Sequence, residues 1–230
     1  MDKLYIKNIN KSFNNLEVLK DISLNFKEEE ITCILGPSGC GKSTLLNIIT
    51  GIITDYNGEV VGFNNKEISF IFQEDRLVPW LTVYDNIRLV LKDKYNEDQI
   101  HKRIHEYLYL TGIEDYMYYY PSSLSGGMKQ RASIARALTF GGDLIIMDEP
   151  FKSLDIKSKL QILKDFKEIV QTAKSTVIFV THDIDEAIEI GDSIYLLSDK
   201  PTYIKKAWNN LDQENLRNEI LMNIMQESVD

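Results

Sequence analysis

The residue pattern with the clearest chemical meaning is a glycine-rich loop at residues 36–44, which reads GPSGCGKST. It follows a short apolar run at residues 31–35 and precedes a second apolar stretch, an order that predicts strand, loop and helix. Glycines let a loop turn backbone N–H groups inward, and the next helix begins with further unpaired N–H groups. Lys42 supplies a positive charge and Ser43 a hydroxyl for Mg²⁺. This spacing predicts a phosphate-binding loop, or P-loop; the alternative is a glycine-rich turn that binds nothing.

A pair of carboxylates, Asp148 and Glu149, comes directly after the apolar run at residues 144–147. That run predicts a buried strand, and in a parallel sheet the carboxyl ends of the strands face the ligand crevice. At such a position Asp148 can hold Mg²⁺ through water, and Glu149 can orient or deprotonate an attacking water. The alternative is a strand that runs into a polar turn, but the P-loop upstream favours the functional interpretation.

Two other polar residues, Gln73 and His182, follow predicted strands in the same way, after residues 68–72 and 176–180. The amide of Gln73 can reach Mg²⁺ at this edge of the sheet, and His182 can contact a γ-phosphate or the attacking water. Taken alone, a position in a surface loop would explain each of them. The neighbouring motifs make the functional interpretation the stronger one.

A second glycine-containing stretch, residues 124–131 (LSGGMKQR), begins another predicted helix. Ser125 can cap this helix, while Gly126 and Gly127 allow a ligand to approach the backbone closely. The helix start therefore offers a second position for a phosphate group. On physical grounds alone, an ordinary capped helix after a loop explains the stretch equally well.

The elements that must position these residues follow an α/β order. Apolar runs predict strands at residues 4–13, 18–26, 31–35, 59–63, 68–72, 144–147, 176–180, 193–197 and 202–207. Helical periodicity fills the interval between the fifth and sixth of these strands, with N-caps predicted at Thr82, Asn96 and Ser125. Further helices are predicted at 157–170 and 184–190. This order predicts an α/β core with an inserted helical block.

The composition restricts the classes of function. The chain has 230 residues and a net charge of −9, which argues against a nucleic-acid partner bound by a basic surface. Its two cysteines, Cys33 and Cys40, fall in a predicted strand and in the P-loop, so we expect no disulfide and a reducing compartment. The N-terminal residues lack the pattern of a signal peptide, and no apolar stretch is long enough to span a bilayer. We therefore expect any membrane role to depend on a partner.

Together, these motifs resemble those of the ATP-binding-cassette (ABC) ATPases, in the family's order and over nearly the whole chain. Residues 36–44 resemble the Walker A motif, and residues 124–130 resemble the LSGGQ-type signature, with Met128 in its variable tail. Phe13 lies where the family places an aromatic ring that stacks on adenine. The remaining matches are Gln73 (Q-loop), Asp148 and Glu149 (Walker B and catalytic glutamate), Asp155 (D-loop) and His182 (switch histidine).

The resemblance implies an α/β fold, namely a P-loop NTPase (ABC ATPase) core with N-terminal antiparallel β-strands and an inserted helical subdomain. It implies a single ABC ATPase domain over residues 1–230. The RecA-like core would occupy about residues 1–75 and 140–207, and the helical subdomain about residues 76–139. A C-terminal helix would follow at about residues 212–226.

The same resemblance implies ATP as the ligand, Mg²⁺ as its cofactor, and a head-to-tail homodimer. In such a dimer ATP lies between the P-loop of one copy and the signature of the other. The implied catalytic residues are Lys42, Gln73, Glu149 and His182, and the implied Mg²⁺ ligands are Ser43, Gln73 and Asp148. The implied nucleotide-binding residues are Phe13, Val18, Gly36, Ser38, Gly39, Cys40, Gly41, Lys42, Ser43, Thr44, Ser125, Gly126 and Gly127.

Within the family, residues 72–83 (FQEDRLVPWLTV) look like those of the nitrate/sulfonate/taurine branch of importer ATPases, whose relatives also serve thiamine-precursor uptake. This implies a cytoplasmic, ATP-hydrolysing importer subunit, held at the inner face of the cell membrane by permease subunits. An extracytoplasmic solute-binding protein would act indirectly. Leu77, Pro79 and Trp80 would line the groove for a coupling helix of the permease; the alternative is that they belong to the subdomain core. No residue of the chain identifies the transported solute.

Two other interpretations remain open within the family. A soluble mechanical ABC ATPase acting on DNA or ribosomes would need a long coiled-coil insertion or two cassettes in one chain, and the sequence has neither. An exporter ATPase is disfavoured only by the resemblance of residues 72–83 to importers. One residue departs from the importer pattern, since Lys152 stands where importers usually carry a small side chain.

Overall fold

The computed structural model describes residues 4–64, 66–152, 156–209, 211 and 213–225. The strands are β1 (Leu4–Phe13), β2 (Leu16–Phe26), β3 (Ile31–Leu35), β4 (Asn57–Val61), β5 (Ile68–Ile71), β6 (Leu144–Asp148), β7 (Thr176–Thr181), β8 (Ser193–Leu197) and β9 (Ile204–Asn209). The helices are α1 (Lys42–Ile49), α2 (Val83–Leu91), α3 (Glu97–Leu110), α4 (Gly126–Phe140), α5 (Ile156–Ala173), α6 (Ile184–Ile190) and α7 (Gln213–Met225).

The strands form two sheets, and the larger one carries the site. The small sheet is antiparallel, with strand order β2-β1-β4, and the larger sheet has the order β5-β6-β7-β3-β8-β9. Neighbouring strands of the larger sheet are parallel except for β8 and β9. Leu35 pairs with Thr181, and Asp148 pairs with Val180. The ends of β3, β6 and β7 are therefore level at one edge of the sheet.

The central strands are buried on both faces because their side chains alternate between two apolar clusters. On β3, Ile34 belongs to a cluster with α1 and the small sheet, whereas Cys33 and Leu35 belong to a cluster with α5, α6 and α7. A strand covered on both faces needs apolar residues at nearly every position. This explains why β3, β6 and β7 are mostly apolar in the sequence.

The predicted helical block is present as α2, α3 and α4, which share a third apolar cluster of their own. All three predicted N-caps are confirmed, since the side chains of Thr82, Asn96 and Ser125 each accept a hydrogen bond from a backbone N–H of the first turn. Asn96 also forms the predicted capping box with Gln99. These caps fix where each helix begins.

Some predicted boundaries are wrong by a few residues. The strand predicted at residues 59–63 runs from Asn57 to Val61, and Phe63 instead packs edge-on against Phe26 with ring centroids 5.7 Å apart. The strand predicted at 202–207 starts only at Ile204, because the backbone of Thr202 bonds to β2 rather than to β8. The boundaries of the helical subdomain at residues 76 and 139 stay a prediction. Within the described ranges, no helix has the length and apolar character needed to cross a membrane.

Candidate functional site

The P-loop connects the end of β3 to the start of α1, and its backbone conformation requires glycine. Gly39 and Gly41 have φ values of 78° and 120°, in the region that side chains disfavour. A Cβ atom on Gly41 would also lie 3.0 Å from side-chain atoms of both Val18 and Leu19. Val18 is buried behind the loop, so it supports the loop from the side of the small sheet. The loop is thus held in a fixed shape with the first N–H groups of α1 at its end.

Lys42, the first residue of α1, is folded back onto the loop and almost completely buried. Its Nζ donates hydrogen bonds of 2.9 Å to the carbonyl oxygens of Gly36 and Pro37. The same Nζ lies 3.4 Å from Oε1 of Glu149. Two of the three protons of this ammonium group are thus used within the loop, and the third remains available for a phosphate oxygen.

Thr202, in the connection between β8 and β9, fastens the P-loop to the rest of the core. Its hydroxyl donates a hydrogen bond to the carbonyl oxygen of Cys40, and its backbone bonds to Val18 and Lys20 on β2. Cys40 is buried and is a free thiol, and burial raises its pKa despite the opposing effect of Lys42. It therefore contributes to the shape of the loop rather than acting as a reactive thiolate.

Glu149 follows β6 and is surrounded by three basic side chains. Its Oε1 lies 3.4 Å from Lys42 Nζ, and its Oε2 lies 3.1 Å from His182 Nδ1 and 3.4 Å from Lys152 Nζ. The side chain is 8% exposed, and its φ of 45° is unusual for a residue other than glycine. Burial alone would raise its pKa, but the neighbouring Lys42, His182 and Lys152 outweigh burial and lower the pKa. This carboxylate is therefore ionised and able to accept a proton.

Asp148 is the last residue of β6. Burial raises the pKa of Asp148, and the side chain of Ser43 in the P-loop opposes part of the rise. A hydroxyl next to a desolvated carboxylate is an oxygen donor set that fits Mg²⁺, since the cation would compensate for the lost hydration. Gln73 lines a cleft together with Ser43, so its amide oxygen is available as a further ligand.

The P-loop and Glu149 line a common cleft of about 310 Å³. The lining residues are Ser38, Gly39, Gly41, Lys42, Ser43, Thr44, Gln73, Glu149, Lys152 and Lys200. They include three lysines and one carboxylate, so the cleft has a local excess of positive charge in a chain whose net charge is −9. Such a contrast favours a polyphosphate ligand at this position.

The residues of the predicted signature do not line this cleft. Ser125, Gly126 and Gly127 form the exposed start of α4, where the hydroxyl of Ser125 accepts a hydrogen bond of 3.3 Å from the Met128 N–H. A Cβ atom on Gly126 would meet nothing within 4 Å. Phe13, the proposed adenine contact, is 44% exposed at the end of β1. Asp155, the proposed D-loop residue, lies outside the described residues.

The comparisons with known proteins agree with this geometry. Residues 19–152 match the sequence profile of the family described as ABC transporter. The chain belongs to this family. It is an ABC ATPase, and ATP and Mg²⁺ are its substrate and its metal cofactor.

Several relatives have been named by their transport role. The chain is 40% identical over 212 residues to an aliphatic sulfonates import ATP-binding protein, SsuB, of Bacillus cereus, covering 89% of this chain and 83% of the relative. It is also 40% identical over 204 residues to the spermidine/putrescine import ATP-binding protein PotA of Thermotoga maritima, a match that covers 84% of this chain and 55% of that relative.

A solved structure supports both the fold and the chemistry. The ATP-binding cassette MJ0796, in a dimeric post-hydrolysis state with ADP and Pi, superposes with a TM-score of 0.80 at 33% identity. The superposition covers 92% of this chain and 99% of that cassette. The α/β ABC ATPase fold predicted from the sequence is therefore confirmed, and so is ATP hydrolysis as the activity.

Three residues near the site have no role assigned from the sequence. Thr202 and Lys200 lie in the β8–β9 connection, far from every motif, and only the fold brings them to the P-loop. Lys152 is different, because it stands three residues after Glu149 and departs from the family pattern. Its departure from the family pattern is therefore a feature of the sequence from which a role could have been suspected.

Proposed function

We propose that this ABC ATPase is the energy-coupling subunit of an importer for small solutes. The observation that carries the proposal is its 40% identity, over most of both chains, to relatives named as sulfonate import ATP-binding proteins. The placement of Glu149 between Lys42 and His182 fits a subunit that turns ATP over rather than one that only binds it. The relatives named above give no support to a mechanical or an exporting role.

We propose the following roles for the residues of the site. The P-loop N–H groups and Lys42 hold the β- and γ-phosphates, so that the terminal phosphorus faces Glu149. Glu149 accepts a proton from the water that attacks the γ-phosphate in line, and His182 holds that carboxylate and contacts the transferred group. Ser43 and Asp148, with Gln73 nearby, would hold Mg²⁺, which would neutralise part of the phosphate charge.

A head-to-tail dimer explains the exposed signature. Gly126 has open space around it and no need of a special backbone conformation, so nothing within the described residues requires glycine there. A helix that begins with glycine has no side chain there to block its N–H groups, so an anion from outside the chain can approach them. The dimeric cassettes among the solved structures support dimerisation in general. The phosphate would thus be held by the P-loop of one copy and the signature of the other.

An exposed aromatic surface is the candidate contact for the permease. Of the three residues proposed from the sequence, Leu77 is buried in the core of the helical block, whereas Pro79 and Trp80 are more accessible, Trp80 to 75%. Further along the chain, the segment 118–120 presents three exposed tyrosines. Backbone hydrogen bonds from α2 to residues 117 and 119 hold that segment beside α2. Large exposed aromatic side chains are typical of binding sites for other proteins.

Replacing Trp80 with alanine is expected to lower the recovery of the permease with this chain at least about tenfold, because aromatic anchors dominate interface energies. The measurement is co-purification from detergent-solubilised membranes. Ile52→Ala is the matched control, since Ile52 is similarly exposed but follows the C-terminal end of α1, outside the aromatic surface. Equal permease recovery with the Trp80 and Ile52 variants would rule out this surface.

For the solute, we propose an organic or inorganic oxyanion of the nitrate, sulfonate or taurine type, or a thiamine precursor, captured outside the cell by a solute-binding protein. The relatives named for aliphatic sulfonate import, at 40% identity over most of both chains, support the anionic class. The subunit would work at the inner face of the cell membrane beneath its permease. Loss of the gene should abolish uptake of one such solute, which a labelled panel containing an alkanesulfonate, taurine, nitrate and a thiamine precursor would identify. Loss of spermidine uptake alone would overturn the assignment.

A further inference from the structure

Lys152 is a cation beside the catalytic carboxylate that the mechanism above does not use. It lines the same cleft as the P-loop, and its Nζ lies 3.4 Å from Oε2 of Glu149. We propose that Lys152 is a positioning residue of the ATPase centre, which holds the Glu149 carboxylate in place while Lys42 binds the phosphates. The proposal concerns this chain in particular and rests on the role proposed for Glu149.

The two oxygens of Glu149 have different partners. Oε1 faces Lys42 at 3.4 Å, and Oε2 faces Lys152 at 3.4 Å and His182 at 3.1 Å. Oε2 is buried, yet it accepts no hydrogen bond of good geometry from any described residue. Its position in the site thus depends on charge attraction more than on directed hydrogen bonds.

Lys42 cannot serve Glu149 and the phosphates equally well. Two of its three protons already go to the carbonyl oxygens of Gly36 and Pro37, which leaves one for either Glu149 or a phosphate oxygen. When ATP takes that proton, the Oε1 side of Glu149 loses its closest cation. Lys152 and His182 are then the remaining described partners of the carboxylate, both on its Oε2 side.

The backbone conformation at residues 149–152 explains why the Glu149 side chain needs a partner and why Lys152 can be that partner. Glu149 has a φ of 45°, so its side chain leaves β6 in a direction that local preferences do not stabilise. The turn that follows brings residue 152 back, with the Lys152 N–H 3.4 Å from the Glu149 carbonyl oxygen. The i, i+3 spacing therefore places the ammonium group against the carboxylate, while about half of the lysine side chain stays exposed at the mouth of the cleft.

We expect Lys152→Gln to lower kcat for ATP hydrolysis about tenfold, because a carboxylate displaced by a fraction of an ångström no longer aligns the attacking water. KM for ATP should change less than about twofold, since the P-loop contacts are intact. Lys152→Arg should recover most of kcat, because it keeps the charge. Lys27→Gln is the matched control: Lys27 also pairs with a glutamate three residues away, at 3.2 Å, but on an exposed loop outside the cleft.

A double-mutant cycle gives the decisive measurement. In a Glu149→Gln background, Lys152→Gln should cause no further loss of residual phosphate release, because the carboxylate through which it acts is gone. The same loss in both backgrounds would overturn the proposal and indicate direct contact with ATP. A kcat equal to that of the Lys27 variant, or a loss that arginine does not restore, would also overturn it. Wild-type turnover by Glu149→Gln alone would instead refute the role of Glu149, so the two failures are distinguishable.

Discussion

Glu149→Gln should lower the steady-state rate of ATP hydrolysis by about three orders of magnitude, the range expected for loss of a general base. Glutamine preserves the shape of the side chain but cannot accept the proton from water. It also removes the negative charge that faces the γ-phosphate, so ATP should bind at least as tightly as before. The variant should therefore accumulate as a dimer in the presence of ATP and Mg²⁺, and phosphate release with light scattering would measure both effects.

The control for this experiment is Glu106→Gln, at an exposed glutamate on α3 outside the cleft, which should hydrolyse ATP at the wild-type rate. A thermal unfolding curve would verify that each variant is folded. Turnover near that of wild type in the Glu149 variant would show that another group activates the water. A variant without hydrolysis that also fails to bind ATP would show that Glu149 supports the P-loop instead.

Two inactive variants should restore activity to one another when they are mixed. Lys42→Met removes the phosphate-binding ammonium, and Gly126→Asp places a negative charge at the start of α4, where nothing in the chain's own fold obstructs it. In a head-to-tail dimer of the two variants, one of the two sites combines an intact P-loop with an intact signature. Random mixing therefore predicts up to about one quarter of wild-type ATPase activity, from two proteins that are each inactive.

The complementation is read from phosphate release at constant total protein, with the fraction of mixed dimers counted by native mass spectrometry. Lys42→Met mixed with Glu149→Gln provides the contrast. Both changes lie on the P-loop side of a site, so their mixed dimer has no intact site and should stay inactive. Activity absent from both mixtures, with mixed dimers present, would contradict the shared site.

The convergence of Lys42, Glu149 and His182 is predictable from the sequence for a physical reason. Each residue comes shortly after a buried strand, and the carboxyl ends of neighbouring parallel strands lie at one edge of a sheet. The start of α4 is also predictable, because a serine followed by glycines is a local pattern that is typical of a helix N-cap. Sequence patterns therefore predict where these site residues lie once the order of the strands in the sheet is known.

Other features depend on the path of loops and are not predictable in this way. Leu77 and Trp80 are both large and apolar within one short loop, but Leu77 is buried in the core of the helical block whereas Trp80 is exposed. The sequence predicts that Thr202 starts a strand, whereas its side chain bonds to the P-loop. The spacing of residues in the sequence does not predict such contacts, because they form between segments that are far apart in the chain.

The attachment of α4 to the segment after β5 has a consequence for how the two halves of a dimer respond to one another. Gln130 donates a hydrogen bond of 3.4 Å to the carbonyl of Phe72, and Arg136 bonds to the carbonyls of Asp75 and Arg76 at 3.1 and 2.9 Å. Gln73 lies within this tethered segment. In the proposed head-to-tail dimer, Gln73 would face the nucleotide of its own chain, and the start of α4 would face the nucleotide of the other copy. A displacement of Gln73 by one γ-phosphate would then be transmitted along α4 to the second site. Occupancy of the two sites should accordingly be cooperative, with a Hill coefficient above one, and arginine-mediated contacts to backbone carbonyls would be its physical basis.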